Sequence, residues 1–283
     1  MTDVQLKPTR PELAMVGSDG VSDASKGSIL WQALLKSLRV MVYLATVVAL
    51  WFAIVEFFGV NSLVLPAPQA VAQAAYDNFP LLVVHSLITL EEALVGFAVA
   101  IVFGIGLAIF MVWSETMTRL VMPALVAINS TPKVVVAPIL IIWLGYGTLS
   151  KIGMAFLLCA FPIVINAAQG LVDVEPDLLD LYHLMKADRW TVMRKVRLPS
   201  ALPSIFSSLK IALPLAIIGA VIGEFVAARA GIGYQIVMAY SGFKTEFVFA
   251  AVMGISLTCI ALFELLNWLE HRLLSWRPIS EGK

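Results

Sequence analysis

The chain has 283 residues, of which 60% are hydrophobic and 13% are charged, and its formal net charge is zero. A soluble domain of ordinary composition carries about 25% charged residues. The low charged fraction of this chain therefore excludes an ordinary soluble domain. A balanced charge also gives no reason to expect a nucleic-acid partner. Several apolar runs are long enough to cross a hydrocarbon core of about 30 Å as helices. The sequence therefore predicts an all-α membrane protein with several spans.

The predicted elements follow one another from a polar start. We expect residues 1–36 to form a flexible tail, residues 37–276 to form a six-span domain and residues 277–283 to form a second tail. Pro132 and Pro138 interrupt the third span, and prolines are tolerated in spans where neighbouring groups satisfy the freed carbonyls. The six transmembrane helices are predicted at about 40–60, 86–112, 121–144, 151–171, 204–227 and 247–269.

Lys and Arg predict the orientation of these spans. Fifteen of the 19 basic residues fall on the side that holds both tails and the segment between spans four and five, whereas the opposite side holds three. Cytoplasmic loops of membrane proteins carry such an excess. We therefore expect both termini and the segment 172–203 to face the cytoplasm.

The segment 172–203 is longer than a simple connection between spans requires. Glu175-Pro176 predicts a helix start, after which one face is apolar and Asp188 can cap a second short helix. We expect Leu198-Pro199 to end the element. Such an amphipathic element suits either lipid headgroups or a protein partner, and the pattern alone does not choose between them. The apolar face consists of Leu178, Leu181, Tyr182 and Met185.

This segment resembles the cytoplasmic loop of bacterial ATP-binding-cassette importer permeases. The pattern of that loop runs Glu-Ala-Ala, three residues, Gly, nine residues, Ile, one residue, Leu-Pro. Asp180 stands at the Glu position, Lys186 at the Gly position, Val196 at the Ile position and Leu198-Pro199 at the end. Further runs are similar to the nitrate, sulfonate and taurine permease group, which includes importers of thiamine-precursor pyrimidines. These runs are GFAVAIVFGIGLAI, INSTPKVVVAPILIIWLGYGTLSKIG, FPIVINAAQGLVDVEPDLLDL and GEFVAARAGIGYQI.

The resemblance implies six transmembrane helices with a cytoplasmic coupling helix between spans four and five. It also implies a homodimer in the bacterial inner membrane, a periplasmic solute-binding protein and a separate cytoplasmic ATPase. The chain itself contains no G-x-x-x-x-G-K-[ST] phosphate loop, and no catalytic residue or cofactor is expected. Arg189, Arg194 and Arg197 are expected to set the register of docking. The residues expected to dock the ATPase are Asp180, Leu181, Tyr182, Met185, Lys186, Ala187, Arg189, Val196, Leu198 and Pro199.

Lys186 departs from the glycine of this pattern. Glycine adopts positive φ readily and lysine does not, so we expect the turn to move to Ala187-Asp188. A second departure is Glu91-Glu92, which stands where relatives usually place a basic residue.

Lys133 and Glu224 are candidates for the translocation path, because charges within spans usually face a cavity or the bundle interior. Lys133 favours a small anionic solute, whereas the acidic pair Glu91-Glu92 points the other way. Alternatively, Lys133 snorkels or pairs with Glu224, and Glu224 makes a structural hydrogen bond. Glycines of spans two and five, namely Gly96, Gly104, Gly106, Gly219 and Gly223, are expected to permit close helix approach.

Two other functional classes compete with this prediction. A secondary transporter or channel would work without an ATPase, but the two halves of the chain show no inverted repeat and the long segment 172–203 would have no task. An intramembrane enzyme or metal protein is weakly supported, because His85, His183 and His271 stand apart from one another and from Cys159 and Cys259.

Overall fold

The computed structural model describes residues 20–274, and within this range the chain forms helices and no strand. A π-helical turn spans Met193–Arg197. In chain order the helices are α1 (Gly20–Phe58), α2 (Pro68–Asp77), α3 (Phe79–Trp113), α4 (Glu115–Ser130), α5 (Lys133–Leu144), α6 (Thr148–Val172), α7 (Pro176–Leu184), α8 (Arg189–Val192), α9 (Leu198–Ala227), α10 (Ile232–Ser241) and α11 (Thr245–Leu273).

The chain divides into two units, the first ending at Val60 and the second beginning at Asn61. The described part of the first unit is the single helix α1, whose stretch Met41–Phe58 is apolar enough to span a membrane. This helix begins at Gly20, inside the segment expected to be a tail. Residues 1–19 of that tail and the whole predicted tail 277–283 lie outside the described residues.

Five described helices are long and apolar enough to cross a membrane, and the number becomes six if α4 and α5 form one bent span. These two helices meet at an angle of 99°. The break falls at Thr131-Pro132, where Thr131 is extended, because proline disfavours helical backbone in the residue before it. Pro138 lies inside α5 without ending it. The predicted third span is therefore a sharply broken pair of helices.

Two short helices lie where the sequence indicated loops. Helix α2 falls between the first two predicted spans, and α10 falls between the last two. Each has 10 residues, too few for a span-length apolar run, and hydropathy patterning therefore missed both.

The second unit is built around α3, α6 and α9, and α6 packs extensively against both of the others. Small residues allow the close approach. A Cβ atom on Gly96 of α3 would lie 2.6 Å from Ala155 Cβ, and one on Gly219 of α9 would lie 2.6 Å from Ala155 Cα. The prediction that glycines permit close helix packing is confirmed at both positions, and the partner is α6 of the same chain. Gly106 makes no such contact within this chain, where it has no neighbour within 4 Å.

This three-helix core is rich in alanine. Ala100, Ala155, Ala167, Ala212 and Ala216 are fully buried. Lipid tails are as apolar as leucine, so helices in a membrane associate through close packing and not through exclusion of water. The small side chains therefore bring the three backbones together.

We predict that Gly219→Ala destabilises the protein by about 1–3 kcal/mol, because the new methyl group meets the backbone of α6 and forces a shift of packed helices. Gly106→Ala is the matched control, since it adds the same methyl group in open space. Thermal unfolding of the two purified variants measures the difference. Equal melting temperatures would contradict the assigned helix contact.

Candidate functional site

Helix α7 presents an exposed apolar face. Leu178, Leu181 and Met185 recur at i, i+3 and i+7 and are 39%, 50% and 67% exposed. The structure confirms the helix predicted after Glu175-Pro176, which begins at Pro176. Tyr182, expected on the same face, is half-buried. We call the three exposed residues Leu178, Leu181 and Met185 the docking face.

Lys186 ends α7 in a left-handed conformation with φ of 53°. The Lys186 amide donates to the His183 carbonyl, and the Ala187 amide donates to the Tyr182 carbonyl, both at 3.0 Å. This is the Schellman arrangement, which requires the left-handed conformation at the first residue beyond the cap. The expectation that the turn moves to Ala187-Asp188 is therefore wrong: Lys186 keeps the glycine-like backbone.

Asp188 caps the following helix, as predicted. Its carboxylate accepts hydrogen bonds from the amides of Trp190 and Thr191, at 3.1 and 3.2 Å, and from the Thr191 hydroxyl. The hydrogen bonds from Thr191 hold the pKa of this exposed carboxyl below its usual range, because they favour the charged form. The start of α8 is thus fixed by a single charged side chain.

The helix does not end at Leu198-Pro199, contrary to the prediction. The backbone stays helical from Arg189 to Val226, with Pro199 in the first turn of α9. A proline lacks the amide that an interior helical position needs, and the preceding π-helical turn, Met193–Arg197, accompanies this local change of hydrogen bonding. The part of the segment from Arg189 onward is consequently continuous with α9, and the turn at Lys186 joins it to α7.

The other residues expected to dock a partner are spread over both sides of the segment. Asp180, Arg189 and Pro199 are exposed, Ala187 and Leu198 are half-buried, and Val196 is buried. Arg197 turns inward, and its Nη1 donates to the Leu171 carbonyl at 2.8 Å.

A buried polar cluster lies at the opposite end of the three-helix core. It is centred on Glu224 of α9, which is 1% exposed. The Thr89 hydroxyl donates to Glu224 Oε1, and the Gly233 amide donates to Glu224 Oε2, both at 2.6 Å. The Ile232 amide in turn donates to Thr89 Oγ1 at 2.8 Å. Glu224 therefore makes structural hydrogen bonds, as one reading of the sequence anticipated.

The glycines beside this cluster have no room for a side chain. A Cβ atom on Gly231, whose φ is 107°, would lie 2.0 Å from Glu224 Oε1, and one on Gly233 would lie 2.8 Å from Oε2. His85 adds a further contact, because its Nδ1 accepts from the Gly231 amide at 3.0 Å. The start of α10 is held by α3 and α9 together.

Lys151 and Glu92 complete the cluster. Lys151 Nζ donates to Glu92 Oε1 at 2.7 Å, and the two residues are 5% and 2% exposed. The sequence analysis missed this pair, because Lys151 stands at the edge of a predicted span, where a basic residue is ordinarily exposed. The sequence did carry a signal for this pair. Acidic side chains inside an apolar run require a partner, and Lys151 is the first residue of the predicted span 151–171.

Lys133 does not pair with Glu224. Its Nζ donates to the Asn129 carbonyl and to Asn129 Oδ1, both at 2.9 Å, across the break between α4 and α5. The proposed pairing is wrong because Glu224 is bonded by Thr89 and Gly233, as described above. No group of three or more His, Cys, Asp or Glu residues suited to a metal ion occurs in the described range.

A family model named "Binding-protein-dependent transport system inner membrane component" matches residues 100–275. The chain belongs to this family. It is the permease subunit of an ATP-binding-cassette importer, a multi-pass protein of the inner membrane. The nitrate, sulfonate and taurine group predicted from the sequence is confirmed.

Curated relatives agree with this assignment. The permease is 31% identical to a probable ABC transporter permease of Haemophilus influenzae over 85% of this chain and 98% of the relative. It is 34% identical to the riboflavin transport system permease protein RibX of Chloroflexus aurantiacus, over 85% and 90%. It is 33% identical to the formylaminopyrimidine transport permease protein ThiX of Halalkalibacterium halodurans, over 75% and 86%.

Solved structures share the fold of the permease. The MetNI methionine ABC transporter in an inward-facing conformation matches with a TM-score of 0.58 and 20% identity, over 70% of this chain and 96% of that one. The all-helical membrane fold predicted from the sequence is thereby confirmed.

We predict that Lys186→Gly stabilises the turn after α7 by about 1 kcal/mol, because glycine adopts positive φ without the steric cost that a side chain brings. Hydrogen exchange at residues 184–192 should slow by about fivefold. The control Lys195→Gly removes the same side chain from a helical position and should speed local exchange. Faster exchange in Lys186→Gly would contradict the left-handed assignment.

We predict that Thr89→Val destabilises the permease by about 1–3 kcal/mol, because the buried Ile232 amide loses its acceptor and Glu224 loses a donor. The control is Thr258→Val, whose hydroxyl bonds only to the Gly254 carbonyl of its own helix. Thermal unfolding compares the two variants. A melting temperature for Thr89→Val equal to that of the control would show that the cluster contributes no stability.

Proposed function

We propose that the permease couples solute import to a separate cytoplasmic ATPase that binds the segment 172–203. The observation that carries the proposal is the docking face. Its three apolar side chains are exposed on a capped, folded helix that lies beyond the ends of the apolar spans. An apolar helix face suits a groove on a partner protein. We therefore assign Leu178, Leu181 and Met185 as the main docking contacts.

The continuous helix supports coupling of docking to the membrane domain. The apolar helix that starts at Arg189 runs without a break to Val226, so a displacement of the docked segment moves α9 as well. In the proposed mechanism ATP-driven closure of two ATPase subunits draws two such segments together. The spans then change between inward-open and outward-open states.

The proposed assembly contains two copies of the permease. Helix α4 has no buried residue, and α5 buries only Ala137 and Ile141. Such an apolar pair needs a partner or lipid, and a second copy placed there would enclose a path between the two subunits. A periplasmic binding protein would deliver the solute to the face opposite the segment 172–203, and both termini would lie in the cytoplasm.

For the substrate we propose a small nitrogen heterocycle. RibX and ThiX, which are named as permeases for riboflavin and formylaminopyrimidine, are 34% and 33% identical to the permease. The taurine permease TauC of Escherichia coli is 28% identical. The ammonium of Lys133 is bonded to Asn129, which weakens the argument for an anion. The buried cluster holds two carboxyl groups, Glu92 and Glu224, and one ammonium group, Lys151. This balance of groups also argues against an anionic solute.

We predict that Leu181→Asp removes the ATPase from the purified complex, because a charge replaces a central apolar contact that binding would desolvate. The matched control is Leu63→Asp, since Leu63 is 51% exposed and lies before α2, far along the chain from the docking face. Co-purification of the ATPase with each tagged permease variant measures the effect. Retention of the full amount of ATPase by Leu181→Asp would show that the docking surface lies elsewhere.

A further inference from the structure

A cleft of about 300 Å³ lies between the end of α3 and the segment 172–203. It is separate from the docking face, because it is lined by Leu179 and His183 of α7 and not by Leu178, Leu181 or Met185. Val112 and Trp113 of α3 form the opposite wall. The three residues proposed as main docking contacts do not line this cleft, whereas Ala187, Arg189 and Arg197, which the resemblance also assigned to docking, do.

The cleft is basic. Arg189 and Arg197 line it together with His183, and no Asp or Glu is among its lining residues, all of which are in the described range. The bond from Arg197 Nη1 to the Leu171 carbonyl orients this guanidinium, and a guanidinium has five N–H groups in all. The nearby Asp188 carboxylate is bonded to residues 190 and 191. The two arginines therefore supply positive charge that no lining carboxylate balances.

The cleft lies at the depth where the membrane ends. Trp113 is the last residue of α3 and follows the predicted span 86–112 directly. Trp113 and Trp190 are in contact, with ring centroids 5.8 Å apart, so the neighbouring Arg189 lies close to the end of α3. Tryptophan is enriched at the level of lipid headgroups, and arginine binds phosphate through paired N–H groups.

We propose that this cleft binds the phosphate group of an anionic phospholipid. Arg189 and Arg197 hold the phosphate, and the apolar side chains of Val112, Leu179 and Met193 receive the glycerol and the first methylene groups of the acyl chains. Basic pockets between spans are known to take anionic headgroups. The bound lipid would link the end of α3 to the segment that joins α9.

Native mass spectrometry of the full-length permease tests this site, with titrations of phosphatidylglycerol and of phosphatidylcholine. We expect the wild type to prefer phosphatidylglycerol and Arg189→Gln to weaken that binding by about fivefold, the contribution of one arginine near anionic lipid. The matched control is Arg194→Gln, which removes an exposed arginine of the same segment that does not line the cleft. The control should bind phosphatidylglycerol like the wild type.

A competition with inorganic phosphate distinguishes the phosphate of a phospholipid from free phosphate as the occupant of the cleft. If phosphate at millimolar concentration displaces phosphatidylglycerol from the wild type but has no such effect in Arg189→Gln, the cleft is a phosphate site open to free anions as well. If it does not displace the lipid, the lipid is the specific occupant.

The proposal is overturned if Arg189→Gln binds phosphatidylglycerol as tightly as the wild type, if Arg194→Gln loses as much affinity for phosphatidylglycerol as Arg189→Gln, or if the wild type binds both lipids equally. None of these outcomes depends on the ATPase, so they leave the docking proposal untouched.

Discussion

The close contact of α3 and α9 with α6 is the constraint on which the rest of the second unit depends. At Ala155 both neighbouring helices come so near that glycine is the only residue that fits, at Gly96 on one side and Gly219 on the other. A membrane interior gives helices little hydrophobic reason to associate, so dense packing and buried hydrogen bonds must hold them. The buried ion pair of Lys151 with Glu92 lies on α6 and α3 of this same core and ties the two helices at one end.

The core also fixes the relation between its two ends. At one end Glu224 and Thr89 hold the start of α10, and at the other the segment 172–203 continues into α9 through a π-helical turn. Pro199 and Glu224 are about 38 Å apart along this helix at 1.5 Å per residue. Under the proposed function a movement of the docked segment passes through the hydrogen-bonded turn at Lys186 into the helix that starts at Arg189. It is then carried along α9 to the held loop at Gly231. The same geometry explains why a folded segment, rather than a short turn, follows α6.

The sequence predicted much of this architecture and less of the candidate site. Long apolar runs predict spans reliably because length and hydropathy suffice, and the capping role of Asp188 followed from its position before a short helix.

Residues whose role depends on tertiary contact were harder to predict. The pairing of Lys151 with Glu92 joins residues 59 positions apart, and no local pattern encodes it. The turn at Lys186 was mispredicted because intrinsic preference opposes positive φ, whereas the Schellman hydrogen bonds of α7 require it. Leu198-Pro199 is predicted to end a helix because proline usually stops one. In the structure the helix continues through Pro199, directly after the π-helical turn.

The most direct test is to reconstitute the full-length permease in liposomes, alone and together with a cognate ATPase and periplasmic binding protein. The account predicts that solute enters only when all three components and ATP are present, and that ATP is hydrolysed by a complex that stays intact in detergent. Solute movement by the permease alone without ATP would contradict the account and indicate a secondary transporter or channel.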